Sequence, residues 1–423
     1  GMWAAPRAPS GEEGELLHGE LEERCRQAAE AVEGADVLVV CLGDAVESSA
    51  VSAVASGAVP LASGEHECRE LFLGHLGSAF NALRLSTPPA VYPVLARWRK
   101  NCVGESRLAP LISSALDPRS REPAAWKQLP CSLPLAAAAA ADLTALGDED
   151  SDEEEKVPED AHAAPYGGAF FAFTGNLDGF ARRFFGRECV REARGSLDQW
   201  QCATPCRDDD VWPAPEGFLF HIEEDENRQL IAPEGPPADW PAVHVVQMHR
   251  ACCMDRALTV ADAFRRNQPL CRSCGGPARP SARSSPADLS WSDVSHRQER
   301  FKQWRNAVRT ALDRWDGGKG DGSPARVVIL EIGARPADKA AAGEGGKAAG
   351  WRMVRRESEA LLSMLNGEGD GGLVHRPHRA VLVRVNKHLP LADNASLSED
   401  TLGLFGDEQE IVEQMDLIMG KGQ

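Results

Sequence analysis

Four short apolar runs constrain this chain more than any other feature. They are residues 37–41 (VLVVC), 169–174 (AFFAFT), 326–332 (RVVILEI) and 380–385 (AVLVRV). Runs of this length, rich in β-branched and aromatic residues and without strict polar alternation, suit strands buried on both faces. Each ends in a turn or polar loop and has helical sequence nearby. Strands alternating with helices define an α/β class, a Rossmann-like parallel sheet with crossover helices. Ligands of such sheets bind beyond the carboxyl ends of the strands. The residues after Cys41, Thr174, Ile332 and Val385 therefore become the candidate site.

The rest of the chain divides around these runs. Leu17, Leu21, Cys25, Ala28, Ala29 and Val32 fall at three- and four-residue steps, which predicts a helix over 15–33 that Gly34 stops. Residues 68–100 read as a helical subregion. The first ordered part is thus 15–100. From 101 to 165 the periodicity fails: Pro, Ser, an alanine run and an acidic run take over, with nine acids against one lysine in 148–160. This is read as a low-complexity acidic insertion, disordered because it offers too little apolar surface to offset ordering entropy. It is either a solvated spacer or an interaction tail for a protein partner. Order resumes over 166–420, with a candidate zinc module at about 200–280. Segments 336–350 and 366–372 read as flexible Gly/Ala-rich loops.

Charge and cysteine usage bound the function. The formal net charge of −18 and the lack of a basic, aromatic-interleaved patch argue against nucleic acid as a partner. The longest apolar stretch, 133–141, is too short to span a bilayer, so no membrane partner is expected. Residues 1–20 hold no apolar core of signal-peptide length. An intracellular chain, cytoplasmic or nuclear, is the expectation, although a chain beginning Gly1-Met2 leaves room for a preceding segment. In a reducing compartment twelve cysteines point to metal before disulfides. Two close pairs, Cys202/Cys206 and Cys271/Cys274, can converge four thiolates on one tetrahedral Zn²⁺, a closed and therefore structural site. Cys252 and Cys253 lie between the pairs and could substitute; unliganded thiols are the plain alternative.

Two further segments carry polar groups at strand exits. Thr174-Gly-Asn176-Leu-Asp178-Gly179 places an amide and a carboxylate after the second run, where they can meet ribose hydroxyls or a carboxamide, or simply make a turn. Glu192-Ala-Arg194-Gly195-Ser196 precedes the first cysteine pair. Taken together, residues 171–206 (FAFTGNLDGFARRFFGRECVREARGSLDQWQCATPC) resemble the sirtuin family, whose pattern is a strand, T-x-N-x-D-G, E-x-H-G-S and a zinc cysteine pair. The resemblance continues in order: 271–280 (CRSCGGPARP) is similar to the second pair and its continuation, 328–333 to the strand before a cofactor loop, 354–359 to a helix after it, and 383–386 to the final strand. Phe72, His75 and the segment to Trp98 are similar to the small helical region. Coverage is about 20–420, interrupted by the insertion.

The resemblance implies NAD-dependent transfer of an acyl group from protein lysine to ADP-ribose. It implies cofactor contacts from Gly43, Thr174, Asn176, Asp178, Gly333 and Asn386, and zinc on Cys202, Cys206, Cys271 and Cys274. The family's proton-accepting histidine is replaced by Arg194, and a guanidinium does not accept a proton. The first strand runs into Cys41-Leu42-Gly43-Asp44-Ala45, with one glycine where the family has a G-A-G turn and with a carboxylate where a pyrophosphate would lie. The loop after Gly333 and the segment after Pro280 also depart from the pattern. Activity is therefore expected to be weak or lost, with Asp198 and His75 as candidate substitute bases. The alternative is a catalytically silent zinc protein that keeps the fold as a binding or scaffolding module, and the residue chemistry favours it.

Overall fold

A computed structural model describes residues 9–48, 51, 66–116, 168–207, 211–214, 218–233, 269–271, 273–283, 288, 290–293, 295–315, 323–334, 353–367 and 378–421. The four apolar runs are strands of one parallel sheet: β1 (Val37–Leu42), β2 (Phe170–Thr174), β9 (Ala325–Ile332) and β10 (His378–Val385). Two short strands extend it, β3 (Val190–Glu192) beside β2 and β11 (Thr401–Leu404) beside β10. The spatial order is β3-β2-β1-β9-β10-β11, every neighbouring pair parallel. In chain order that is third, second, first, fourth, fifth, sixth, the doubly wound arrangement of dinucleotide-binding sheets. The direction of winding reverses between β1 and β9, whose exits therefore bound the crevice of the sheet.

Both faces of the sheet are covered. All six residues of β1 are buried, as an apolar run without alternation requires. Successive side chains of β2 show the two sides. Phe170 meets Phe185 and lies under the Arg99 guanidinium, on the side of α4 (Val91–Val103) and α6 (Phe180–Phe185). Phe171 turns the other way, against Phe301 and Trp304 of α7 (Ser295–Asp313). Helices α2 (Leu21–Glu33) and α9 (Glu408–Lys421) pack with α4, and α8 (Met353–Asn366) packs on β9 and β10.

Several boundaries differ from those the sequence predicts. The helix expected over 15–33 is two. A capping box between Ser10 and Glu13 starts α1 (Gly11–Gly19), and the chain turns at Glu20 before α2. The helical region over 68–100 is α3 (His66–Leu85) and α4, parted at Pro88-Pro89. Residues 101–115, counted with the insertion, instead finish α4 and form α5 (Ala109–Ala115). Leu108 and Ile112 anchor this stretch at 0% exposure, and Arg107 pairs with Asp36 at 2.8 Å. The acidic run and the 336–350 loop lie outside the described residues.

A second, antiparallel sheet, β5 (Val211–Pro213), β4 (Gly195–Cys202) and β8 (Ala278–Ala282), forms a smaller module beneath α3. Its core is aromatic, with Phe80 of α3 against Trp200, Phe218 and Phe220, and a short antiparallel pair, β6 (Glu223–Glu224) and β7 (Leu230–Ile231), packs against α3.

Near the exits of β9 and β10 the large sheet buries a charged network. Arg384 donates to Glu331 at 2.9 Å and to the Leu391 carbonyl at 2.7 Å, and forms an ion pair with Glu359 at 3.0 Å. Arg355 of α8 donates to Asp393 at 2.7 Å and to the Leu389 and Leu391 carbonyls at 2.8 Å. The Ser358 hydroxyl donates to Glu331, and the Asp393 amide to Glu359. Both arginines and both glutamates are at most 1% exposed. Each charge is tolerated because its partners are fixed by packed elements.

Candidate active site and zinc centre

The two cysteine pairs converge. Cys202 ends β4, Cys206 follows in the next loop, and Cys271 and Cys274 precede β8. Their sulfurs all lie within 4.8 Å of one another, with Cys202–Cys274 and Cys206–Cys271 both at 3.7 Å. Four sulfurs at the usual Zn–S length of about 2.3 Å stand about 3.8 Å apart at tetrahedral angles, so the cage has the size of this ion. The second pair is shaped as a knuckle. Gly275 takes φ +71°, and the Ser273 and Gly276 amides point at the Cys271 and Cys274 sulfurs at 3.4 Å. The Gly276 amide lowers the Cys274 thiol below its ordinary value, while burial raises Cys202 and Cys206. Cys252 and Cys253 lie outside the described residues.

The second constellation lies where β1, β2 and β3 end. The Thr174 hydroxyl donates to the Leu42 carbonyl at 3.1 Å and accepts the Asn176 amide at 2.9 Å, so it shapes the loop. That turn buries Asn176 and Asp178 to 1% exposure each. The Asn176 side-chain amide donates to the Tyr92 hydroxyl at 3.4 Å, and Tyr92 in turn donates to Asp178 at 3.4 Å. Asp178 also accepts the Ser48 amide at 3.2 Å and the Phe180 amide at 3.0 Å. The Asn176 Oδ1 is buried with no partner among the described residues. Burial, and then the Glu47 charge, push the Asp178 carboxyl up to about 8.

Arg194 follows β3 and faces this group. Burial lowers its guanidinium to about 10, opposed by Glu47 and Asp44, so it stays charged at neutral pH. Glu47, which follows the β1 exit, accepts the Leu177 amide at 2.7 Å. Burial raises its carboxyl, against the pull of that amide and of Arg194. An open cavity of about 660 Å³ lies alongside, lined in part by Glu47, Ser48, Pro88, Val91, Asp407 and Glu408.

Gly43, Gly333 and Asn386 meet at the switch point, and they meet each other. The Gly43 amide donates to the Ile332 carbonyl at 2.9 Å and the Ala45 amide to the Gly333 carbonyl at 3.1 Å. A Cβ on Gly43 would stand 2.3 Å from the Ala334 Cα. Asn386 donates to the Ala334 carbonyl at 3.0 Å and accepts the His388 and Leu389 amides. Backbone groups that could face a pyrophosphate here close the crevice instead.

Of the two substitute bases, Asp198 is already committed. Burial alone would raise its carboxyl, but Arg182 and Arg183 hold it well below the usual range, and the Ser196 hydroxyl donates to it at 2.5 Å. His75 sits on α3, the helix over the small module, and makes no hydrogen bond among the described residues. Glu47 and Tyr92 escape a reading of the sequence. Glu47 stands in a small-residue stretch without a motif, and Tyr92 is distinguished only as one of two tyrosines.

No family model and no curated protein matches the chain. Among solved structures, one mutant of a Sir2 homologue in complex with ADP-ribose is similar at 13% identity, covering 94% of this chain and 96% of that one, with a TM-score of 0.34. A second mutant complex of a Sir2 homologue is similar at 14% identity with the same coverages and a TM-score of 0.31. The strand order defines the α/β class without them, and the four-thiol cluster marks a module that could hold a metal ion. No helix among the described residues is long and apolar enough to cross a membrane.

Proposed function

We propose that this chain is a sirtuin-type, NAD-dependent protein-lysine deacylase with a weak hold on its dinucleotide, carrying one structural zinc. The observation that carries this reading is the Asn176 Oδ1, a buried acceptor with no partner among the described residues at the exit of β2. Leaving such an atom unsatisfied costs about 1–3 kcal/mol, and a ligand N–H or O–H would relieve it. Asn176, Asp178 and Tyr92 would hold the carboxamide and ribose end, and Arg194 would meet a ribose or phosphate oxygen. Bound NAD supplies the ADP-ribosyl group that receives the acyl group as nicotinamide leaves. The protein substrate is an acylated lysine.

The residues fit the other end of the dinucleotide poorly. The Gly43 and Ala45 amides are bonded to the β9 exit, and Asp44 adds a negative charge there. That observation favours a second reading, a catalytically silent zinc protein acting as a binding or scaffolding module. Nicotinamide release from NAD with an acylated peptide, beside calorimetric titration of NAD and ADP-ribose, separates the two. Turnover abolished by Asn176→Ala supports the deacylase. A zinc-loaded chain that neither binds NAD nor releases nicotinamide leaves only the silent module.

A further inference from the structure

Arg194 occupies the position where the proposed reaction needs a proton acceptor, and it cannot serve. The carboxyls around it differ sharply in what they have left to offer. Asp178 accepts two backbone amides and the Tyr92 hydroxyl. Asp198 is locked between Arg182 and Arg183. Glu192 is 3% exposed and lies 3.8 Å from Arg182 and 3.7 Å from Arg297. Asp44 is exposed to solvent.

Glu47 combines three properties that no one of these carries together. One oxygen is pinned by the Leu177 amide at 2.7 Å, so the carboxyl is held in place. The other oxygen has no hydrogen-bond partner among the described residues and is not among the fully buried atoms that lack one. Glu47 also lines the open cavity beside the β1 exit.

We propose that Glu47 is the proton acceptor of this site, taking the proton of a substrate hydroxyl in the cavity; the role rests on the acyl-transfer reading above. In that step the hydroxyl O–H bond breaks, a carboxylic O–H bond forms on the free Glu47 oxygen, and the electron pair stays on the hydroxyl oxygen. The Arg194 charge, which acts on the Glu47 carboxyl, would also offset the negative charge left on that oxygen. Arg194 thus has a use next to a carboxylate that it lacks as a base. Burial raises the Glu47 carboxyl, against the pull of the Leu177 amide and Arg194, and a more basic carboxylate takes up a proton more readily. Burial, the Leu177 amide, Arg194 after β3 and Asp44 on its own loop set its titration; Asp178 on the β2 exit and Tyr92 on α4 feel its charge, Arg283 acts on Arg194, and Asp407 and Glu408 line the same cavity.

Glu47→Gln tests the proposal because its amide oxygen can still accept the Leu177 amide. Expected is a fall in kcat for nicotinamide-coupled deacylation of about 10²–10⁴-fold, an unchanged Kd for NAD, and loss of the acidic limb of the pH profile. Glu47→Asp should keep that limb at reduced rate. A Glu47→Gln variant with wild-type kcat and pH profile overturns the proposal. A second readout needs no turnover: carboxyl ¹³C NMR of the wild-type chain, with the Glu47 signal identified by its loss in Glu47→Gln. A midpoint above the ordinary glutamate range that moves when ADP-ribose is added supports Glu47 as the ligand-facing acid–base group. An ordinary midpoint indifferent to ADP-ribose overturns it. A wild-type chain without turnover sinks the deacylase reading, and the NMR titration then decides Glu47 separately.

Discussion

Replacing Arg384 with methionine should be the most damaging single change in the large sheet. The side chain is fully buried and, among the described residues, is the group that makes short contacts with both Glu331 and Glu359, at 2.8 and 3.0 Å. Removing one partner of a buried ion pair costs about 3–5 kcal/mol, because the remaining charge stays desolvated. Here two carboxylates are left, which places the loss toward the upper end of that range. A Tm fall of about 8–20 °C follows from the usual 2–4 °C per kcal/mol in domains of this size. The sign of the pH dependence follows from the orphaned acids. The Glu359 carboxyl is already raised by burial, with Arg384 opposing. Without Arg384 it rises further, so the folded variant binds a proton more readily than its unfolded chain. Its stability is therefore recovered as pH falls toward the ordinary carboxylate range, and the deficit is largest above neutrality. Urea unfolding of the zinc-loaded chain at pH 5.5 and 8, followed by tryptophan fluorescence, reads both quantities. Glu331→Gln added to Arg384→Met should return part of the loss, a coupling of about 0.5–3 kcal/mol. A single-variant cost under about 1 kcal/mol, or one that does not vary with pH, would refute the reasoning.

Three other outcomes are expected. The purified chain should hold one zinc with four sulfur neighbours at about 2.3 Å by X-ray absorption, and Cys271→Ser should lower both zinc content and Tm; an unchanged Tm in zinc-free protein would count against the cage. Asp178, pushed up to about 8 in the fold, contributes stability that is complete below about pH 4 and is lost as pH rises toward 8. Asp178→Asn should flatten Tm against pH over that window, and a variant curve parallel to wild type would contradict it. Arg194→His should raise nicotinamide release by less than about tenfold, because Asp44 and the bonded Gly43 and Ala45 amides remain; a rate in the usual enzyme range of about 1–10³ s⁻¹ would show those loops to be harmless.

The sequence exposes the centre of the sheet because its strands are buried on both faces and so read as unbroken apolar runs. Strands β3 and β11 escape for the opposite reason. They are three and four residues long, and β3 carries Arg191 and Glu192, whose burial depends on Asp293, Arg182 and Arg297 arriving from elsewhere in the chain. The thiol cage is legible because cysteine spacing encodes it locally. The crowding of Gly43 against Ala334 is not, since it joins residues almost three hundred positions apart. Asn386 illustrates the limit of motif reading: its place at the exit of β10 is visible in sequence, while its commitment to the Ala334 carbonyl and two amides emerges only from the packed loops.

Strand β4 has one end beside Arg194 and the other in the metal cage. Its eight residues span about 23 Å at the rise of an extended chain. It pairs with β8 at both ends, Gly195–Ser196 and Trp200–Cys202, with a register shift between them, so the Arg194 turn and the thiol cage are tied to the same two strands. A metal ion held by the four thiols would fix the far end of β4, and its removal is expected to loosen the turn that presents Arg194 before it disturbs the six parallel strands.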